Sequence, residues 1–286
     1  MLKINKIKTD WKGELPSGLT WYFVGQPKTG KTTNASKWSP GGQEKVLLID
    51  TDLGSDFVQG ANVLTCGFLN TPARIKMADG VKVVKNGKEQ IEAIPPEERG
   101  FYYRSGENRG KPMPVYALNE IIRDLEANWK DYDIDTVVID TLDQVNAWIE
   151  DAVCKDMGLN DVSEGEWGQG WANARKKNVD VLVRLQKFLK KVGGNLVLIS
   201  HSKQTAMTDN KVQLSPQIPS GLARAVTAKA DVIGYTICDK DGGYNLSFES
   251  YDERMIGSRL KPLSQKVLPF DYDTIMKEIK SYKEDK

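Results

Sequence analysis

Short runs of consecutive apolar residues alternate along the chain with stretches in which apolar residues return every three or four positions. Residues 19–24 (LTWYFV) are apolar and aromatic and end at Gly25; a Gly-containing loop follows, then a polar–apolar stretch over 31–38. That order predicts strand, loop and helix. The same grammar recurs: 45–49 (KVLLI) ends in Asp50, 136–139 (TVVI) in Asp140, and 195–199 (NLVLI) in Ser200 and His201. Runs this rich in leucine and β-branched residues read as strands buried on both faces. Between them, 115–129 carries Leu118, Ile121, Ile122 and Leu125 at helical spacing, and 179–192 carries Val179, Leu182, Val183, Leu185, Phe188 and Leu189. Strands alternating with helices predict an α/β fold, a mainly parallel sheet flanked by helices, with ligands taken at the carboxyl ends of the strands. The polar clusters fall there. Residues 230–238 and 244–250 alternate as an antiparallel pair turned at Asp241-Gly242-Gly243, so an antiparallel C-terminal hairpin finishes the parallel core.

Two stretches stand outside this pattern. Residues 79–114, rich in Gly, Pro and charge, read as an insertion with a hairpin around Asn86-Gly87. Residues 203–221 lack periodicity and follow a strand end, the usual place of a mobile functional loop. The length of 286 residues allows one elaborated α/β domain or two small domains, and length alone does not choose between them. Apolar residues at 40% and charged residues at 28% exclude a disordered chain. A net charge of +1 leaves any polyanion to a local patch. Cys66, Cys154 and Cys238 form no CxxC pair and His201 is the one histidine, too few soft ligands for zinc. Residues 1–16 hold no apolar core of signal-peptide length, and no apolar run reaches roughly 18 residues. A cytoplasmic protein with no membrane partner is expected.

The most specific chemistry lies after the first strand. Gly25, Gln26, Pro27, Lys28, Thr29, Gly30, Lys31 and Thr32 fit G-x-x-x-x-G-K-[ST] in full, with Thr33 next. Glycines let the backbone curl so that successive N–H groups face an anion, and the helix opening near Lys31 adds its positive end. Lys31 can reach β- and γ-phosphates, and the Thr32 hydroxyl can ligate Mg2+. Asp140 is placed to hold the same metal, with Thr141 beside it; the bland alternative is that Asp140 caps the helix beginning near Leu142. Asp50 and Asp52 are candidates to orient an attacking water. His201 reads equally as a sensor of the γ-phosphate and as a structural hydrogen-bonder.

With these strand ends in hand, the chain resembles the RecA-like branch of P-loop ATPases, and within it the short phage ATPases that act in single-strand annealing and recombination. VGQPKTGKTT is similar to that family's phosphate loop, LLIDTD to its I-D-x-E segment, TVVIDTLDQV to its metal-binding strand, and NLVLISHSKQ to its sensor strand and DNA loop, which implies a single RecA-like domain with its core over about 19–260. The resemblance implies ATP and Mg2+ as cofactors, single-stranded DNA as partner, and Asp52 at the place of the catalytic glutamate, one methylene shorter. Arg259 and Lys261 (GSRLKP) resemble the basic pair that such proteins insert into a neighbour's site, which implies a homo-oligomer, ring or filament. Against this stands a solvated basic stretch. Gln26 sets aside the partition-type ATPases, which have lysine there. The rival reading is a nucleotide-gated loader or scaffold for a replication or recombination protein, with slow hydrolysis; a small-molecule kinase comes third.

Charge is segregated within the chain. Residues 175–191 carry Arg175, Lys176, Lys177, Arg184, Lys187, Lys190 and Lys191 against Asp180, whereas 140–166 is acidic with Lys155 alone opposed. Such segregation suits DNA tracking, subunit stacking or a plain solvated face. Trp167 and Trp171, four apart, read as core anchors in preference to a stacking platform.

Overall fold

The computed structural model describes residues 18–282, apart from 76, 79–80, 83, 86–87, 90, 207–211 and 251–254. In chain order the strands are β1 (Thr20–Gly25), β2 (Val46–Asp50), β3 (Asn62–Phe68), β4 (Ala73–Ile75), β5 (Met77–Ala78), β6 (Val81–Lys82), β7 (Val84–Lys85), β8 (Lys88–Glu89), β9 (Ile91–Ala93), β10 (Tyr116–Ala117), β11 (Thr136–Asp140), β12 (Asn195–Ala206), β13 (Val212–Pro216), β14 (Val232–Cys238), β15 (Tyr244–Ser247), β16 (Gly257–Ser258) and β17 (Val267–Pro269). The helices are α1 (Lys31–Ala35), α2 (Leu118–Asn128), α3 (Leu142–Met157), α4 (Gln169–Val192), α5 (Ser220–Thr227) and α6 (Tyr272–Ser281).

Among the described residues the main sheet has eleven strands in the order β10-β3-β2-β11-β12-β1-β14-β15-β17, with β13 on β12 and β16 on β14. β10 through β14 run parallel; β15, β16 and β17 are antiparallel additions. This is the mainly parallel sheet with a C-terminal hairpin that the hydrophobic pattern predicts. Strands β1, β2 and β11 are buried at every position, because helices cover both faces. On one face Tyr22, Val24, Ile49 and Ile139 meet α2, α3, α4 and α5; on the other Trp21, Phe23, Leu48 and Val138 meet Trp38 and α6. β1 lies between β12 and β14, so its carboxyl end opens where the chain's crossovers leave in opposite directions, the usual position of a ligand crevice.

The structure departs from the sequence pattern in four places. α1 ends at Ala35, and Trp38 beyond it turns inward to pack edge-on against Trp21, Phe23 and Phe270, with ring centroids at 5.1, 4.7 and 5.7 Å. β3, mostly half-buried, has no clear pattern in the sequence. The strand expected to stop at Ile199 runs on to Ala206, where residues 202–206 pair with β13; the segment read as a mobile loop is thus a hairpin flanked by α5, and its tip lies outside the described residues. α4 begins at Gln169, well before residue 179.

The excursion from β3 to β10 contains small antiparallel pairs, β4 with β9, β5 with β6 and β7 with β8; the turn residues Asn86 and Gly87 lie outside the described residues. The nearly buried Arg99 side chain pins its end by donating to the carbonyls of Ile94 and Val115 and to Glu120 of α2. No helix among the described residues is long and apolar enough to cross a membrane.

Candidate functional site

Parallel pairing brings the strand ends to one level. Gly25 is in register with His201, and Asp140 with Asp50 on one side and Ile199 on the other. A cleft of about 350 Å³ opens there, lined among others by Lys31, Thr32, Asp52, Asp140, His201 and Tyr244. The loop 25–30 leaves β1 through left-handed residues at Lys28 and Gly30, φ 64° and 74°. Both motif glycines are also held by close approach. A Cβ on Gly25 would stand 1.8 Å from Thr236 Oγ1, and one on Gly30 would stand 2.7 Å from the Tyr244 ring. Thr29 Oγ1, 2.5 Å from Thr236 Oγ1, fastens the loop to β14. α1 is too short for a sizeable macrodipole, so the loop's positive character comes from its amides and from Lys31. The Lys31 ammonium is buried and donates to the carbonyls of Gly25 at 3.1 Å and Gln26 at 2.6 Å. Burial lowers its pKa; Asp140, Asp143 and Asp52 oppose that shift.

Across the loop, Thr32 Oγ1 donates to Asp140 Oδ2 at 2.5 Å. Asp140 is buried at the end of β11, and desolvation, with Asp52 and Asp50 nearby, lifts its pKa to about 6. The cap of α3 is Thr141, whose Oγ1 accepts from the Gln144 amide. The capping alternative for Asp140 therefore falls to its neighbour. Thr51 ties the ends of β2 and β11: its amide donates to the Asp140 carbonyl, its hydroxyl to the Thr141 carbonyl, and the Thr141 amide donates to Thr51 Oγ1.

The two acidic residues after β2 are used differently. Asp50 is buried and accepts from the amides of Asp52, Gly54 and Ser55, which shapes the turn. Asp52 reaches the cleft and accepts from Thr141 Oγ1 at 3.1 Å; partial burial of its carboxylate raises its pKa, with Asp143 and Asp50 adding to the rise. His201 sits within β12, and Asp143 Oδ2 holds it by accepting from its amide at 2.7 Å and lying 3.0 Å from Nδ1. Asp143 Oδ1 is buried with no hydrogen-bond partner.

Arg259 and Lys261 are not brought to this cleft. Arg259 lies at the opposite end of β14, where it pairs with Asp231 at 2.9 Å and donates to the Ala228 carbonyl; Lys261 opens a short 3-10 turn. Trp167 and Trp171 are not core anchors: Trp167 is 98% exposed at a kink before α4, and Trp171 is 42% exposed. The sequence pattern does not single out Tyr244 and the exposed Phe57, which line the cleft, or Asp143 and Thr236, which hold His201 and Thr29 beside it. Asp143 had a signal, one helical turn past Asp140; Thr236 and Tyr244 had none, because only the pairing of β14 and β15 brings them to the loop.

These residues fit a magnesium nucleotide. Burial, with neighbouring carboxylates adding to it, raises the proton affinity of Asp52 and Asp140, and an added divalent charge relieves that repulsion. No group of three or more His, Cys, Asp or Glu among the described residues is placed to hold a metal alone. Mg2+ keeps water and phosphate ligands beside one or two protein groups, and Thr32 and Asp140 are the groups here that could hold it.

No curated protein matches the chain. A family model described as AAA domain matches residues 17–260. That match spans the sheet from β1 to β16 and takes in every cleft residue named above, so the chain belongs to the AAA domain family of P-loop ATPases.

Proposed function

We propose that the chain binds ATP with Mg2+ in this cleft, hydrolyses it, and uses the nucleotide state to control single-stranded DNA in recombination or annealing, in the manner of the short phage RecA-like ATPases it resembles. The observation that carries this reading is β12: one continuous strand holds His201 beside the phosphate loop and then becomes the first arm of the β12–β13 hairpin. A shift at His201 is passed along a rigid element to the β12–β13 hairpin.

When bound, Mg2+–ATP supplies the phosphoanhydride and a divalent charge that withdraws electrons from it. The chain's own groups then have separate tasks. Lys31 holds the β- and γ-phosphates within the loop 25–33, Thr32 and Asp140 hold the metal, Asp52 orients water, and His201 reports the γ position to β12. A homo-oligomer, ring or filament, gives Arg259 and Lys261 a neighbour's site to complete, which requires the Asp231 pair to open. The second reading, a loader or scaffold with slow hydrolysis, draws on Asp52, whose short side chain is restrained by Thr141.

Steady-state ATP turnover with and without single-stranded DNA separates the two. Stimulation by DNA, with Lys31→Ala lowering turnover at least about 100-fold, supports the first. Turnover that DNA leaves unchanged, with no DNA binding at low salt, rejects it in favour of the loader. An Arg259→Ala protein with wild-type turnover at all concentrations rejects the supply of a cation in trans.

A further inference from the structure

Away from the nucleotide cleft, a cavity of about 530 Å³ opens between α3, the turn leading into α4, and the start of α5. Its lining includes Asn146, Glu150, Trp167, Trp171, Arg175 and Ser220. The volume is in the range of small-ligand pockets, roughly 300–1,000 Å³.

The turn that carries Trp167 is tightly built. A Cβ on Gly170 would stand 2.1 Å from the Val162 carbonyl oxygen, and one on Gly165 would stand 2.6 Å from the Gly170 amide, so backbone packs on backbone. Trp167 itself takes a left-handed conformation, φ 51°, and its indole is held in solvent. An uncovered indole on a tightly packed backbone is a poor use of the largest apolar side chain unless something flat lies on it. Trp171 offers a second, half-covered face in the same cavity.

The polar groups narrow the occupant. Asn146 Nδ2 donates to Glu150 Oε1 at 2.8 Å, and Asn146 Oδ1 accepts from Asn178 Nδ2 at 3.0 Å. The second carboxylate oxygen of Glu150 accepts from no group among the described residues, so the floor presents an acceptor. Arg175 is exposed, forms no ion pair among the described residues, and stands beside exposed Lys176. Desolvation and the nearby carboxylates of Asp161, Asp151, Glu150 and Glu164 raise the pKa of the Cys154 thiol, so that side of α3 is acidic. That side therefore disfavours a phosphate backbone, which leaves Arg175 on the other side to meet a phosphate and stacking and the base edge to supply the rest of the affinity.

We infer that this cavity takes an unstacked base of single-stranded nucleic acid: the base lies on Trp167, Arg175 meets the adjoining phosphate, and Glu150 accepts from an exocyclic amine. The inference rests on the DNA reading above and adds to it a location and a base preference. Cytosine, which carries an amine where thymine carries a carbonyl, is favoured over thymine. The cavity adjoins the element that leaves the nucleotide cleft, since Ser220 opens α5 shortly after the β12–β13 hairpin.

The test measures binding of fluorescein-labelled oligo(dC) and oligo(dT) of equal length to the full chain, with thermal melting as the folding control. The exposure of Trp167 lets Trp167→Ala melt as the wild type does. Expected are a preference for oligo(dC), a loss of about 5- to 100-fold in affinity for Trp167→Ala, and loss of the dC-over-dT preference in Glu150→Gln. Wild-type affinity in Trp167→Ala would overturn the inference and leave the DNA reading standing. A wild-type chain that binds neither oligonucleotide at low salt overturns both. Fluorescence quenching by oligolysine that is lost in Trp167→Phe, without quenching by either oligonucleotide, assigns the cavity to a cationic protein segment instead.

Discussion

Gly25 and Gly30 show how one residue type answers two demands. The motif asks for glycine so that backbone can approach phosphate; the fold asks for it because Thr236 and Tyr244 occupy the space a side chain would need. Gly25→Ala is therefore expected to destabilise the protein by about 1–3 kcal/mol through overpacking. Thr236→Ala, which removes the hydroxyl in the way, should restore part of that loss in the double variant, read by thermal melting. If the second change gives no recovery, the constraint on Gly25 is not Thr236. The phosphate loop, Asp52, Asp140 and His201 could be picked out from their neighbours in the chain, since each closes or follows an apolar run. Thr236, Tyr244 and Phe57 could not, because they reach the phosphate loop or the cleft only through strand pairing or from a loop without periodicity.

Elements were legible where burial is continuous and hidden where polar atoms are satisfied internally. β12 looked finished at Ile199 because Ser200, His201 and Ser202 break the apolar run; Ser200 instead accepts from the Tyr22 hydroxyl at 2.8 Å and Ser202 lies 3.2 Å from the Tyr235 hydroxyl. Paired hydroxyls are as much at home in the sheet as leucine, but leave no periodicity. α1 shows the reverse error: Trp38 extends a helical pattern in sequence, yet the chain turns at Ser36 so that its ring can fill the cluster with Trp21, Phe23 and Phe270. Trp38→Ala should cost about 3–5 kcal/mol, measured by denaturant unfolding. Trp38→Phe should cost clearly less, because it keeps an aromatic ring there and removes a buried Nε1–H that has no partner. Equal losses would place the stability in the indole as a whole.

At the scale of the whole molecule, the centre of the sheet also sets its limit in base. Tyr22 is fully buried, and desolvation holds its phenol well above the usual tyrosine range, against the lowering effect of the Ser200 bond. The folded chain keeps a proton there that the unfolded chain gives up near pH 10. The stability this group contributes is thus complete below about pH 10 and falls as pH rises from there toward the folded value. Tyr22→Phe should lose about 0.5–1.5 kcal/mol at neutral pH with the hydroxyl bond, yet melt with a shallower alkaline decline than the wild type. Parallel curves would show that Tyr22 does not govern that limit. The sequence by itself determined the alternation of strand and helix, the anion-binding loop and the carboxylates at strand ends, because burial on both faces and backbone curvature are local demands on residue type. Only the tertiary structure decided which strands are neighbours, that Arg259 stays at the far end of the sheet, and that Trp167 is turned outward. Those outcomes depend on contacts between residues far apart in the chain, and the spacing of apolar positions carries no record of them.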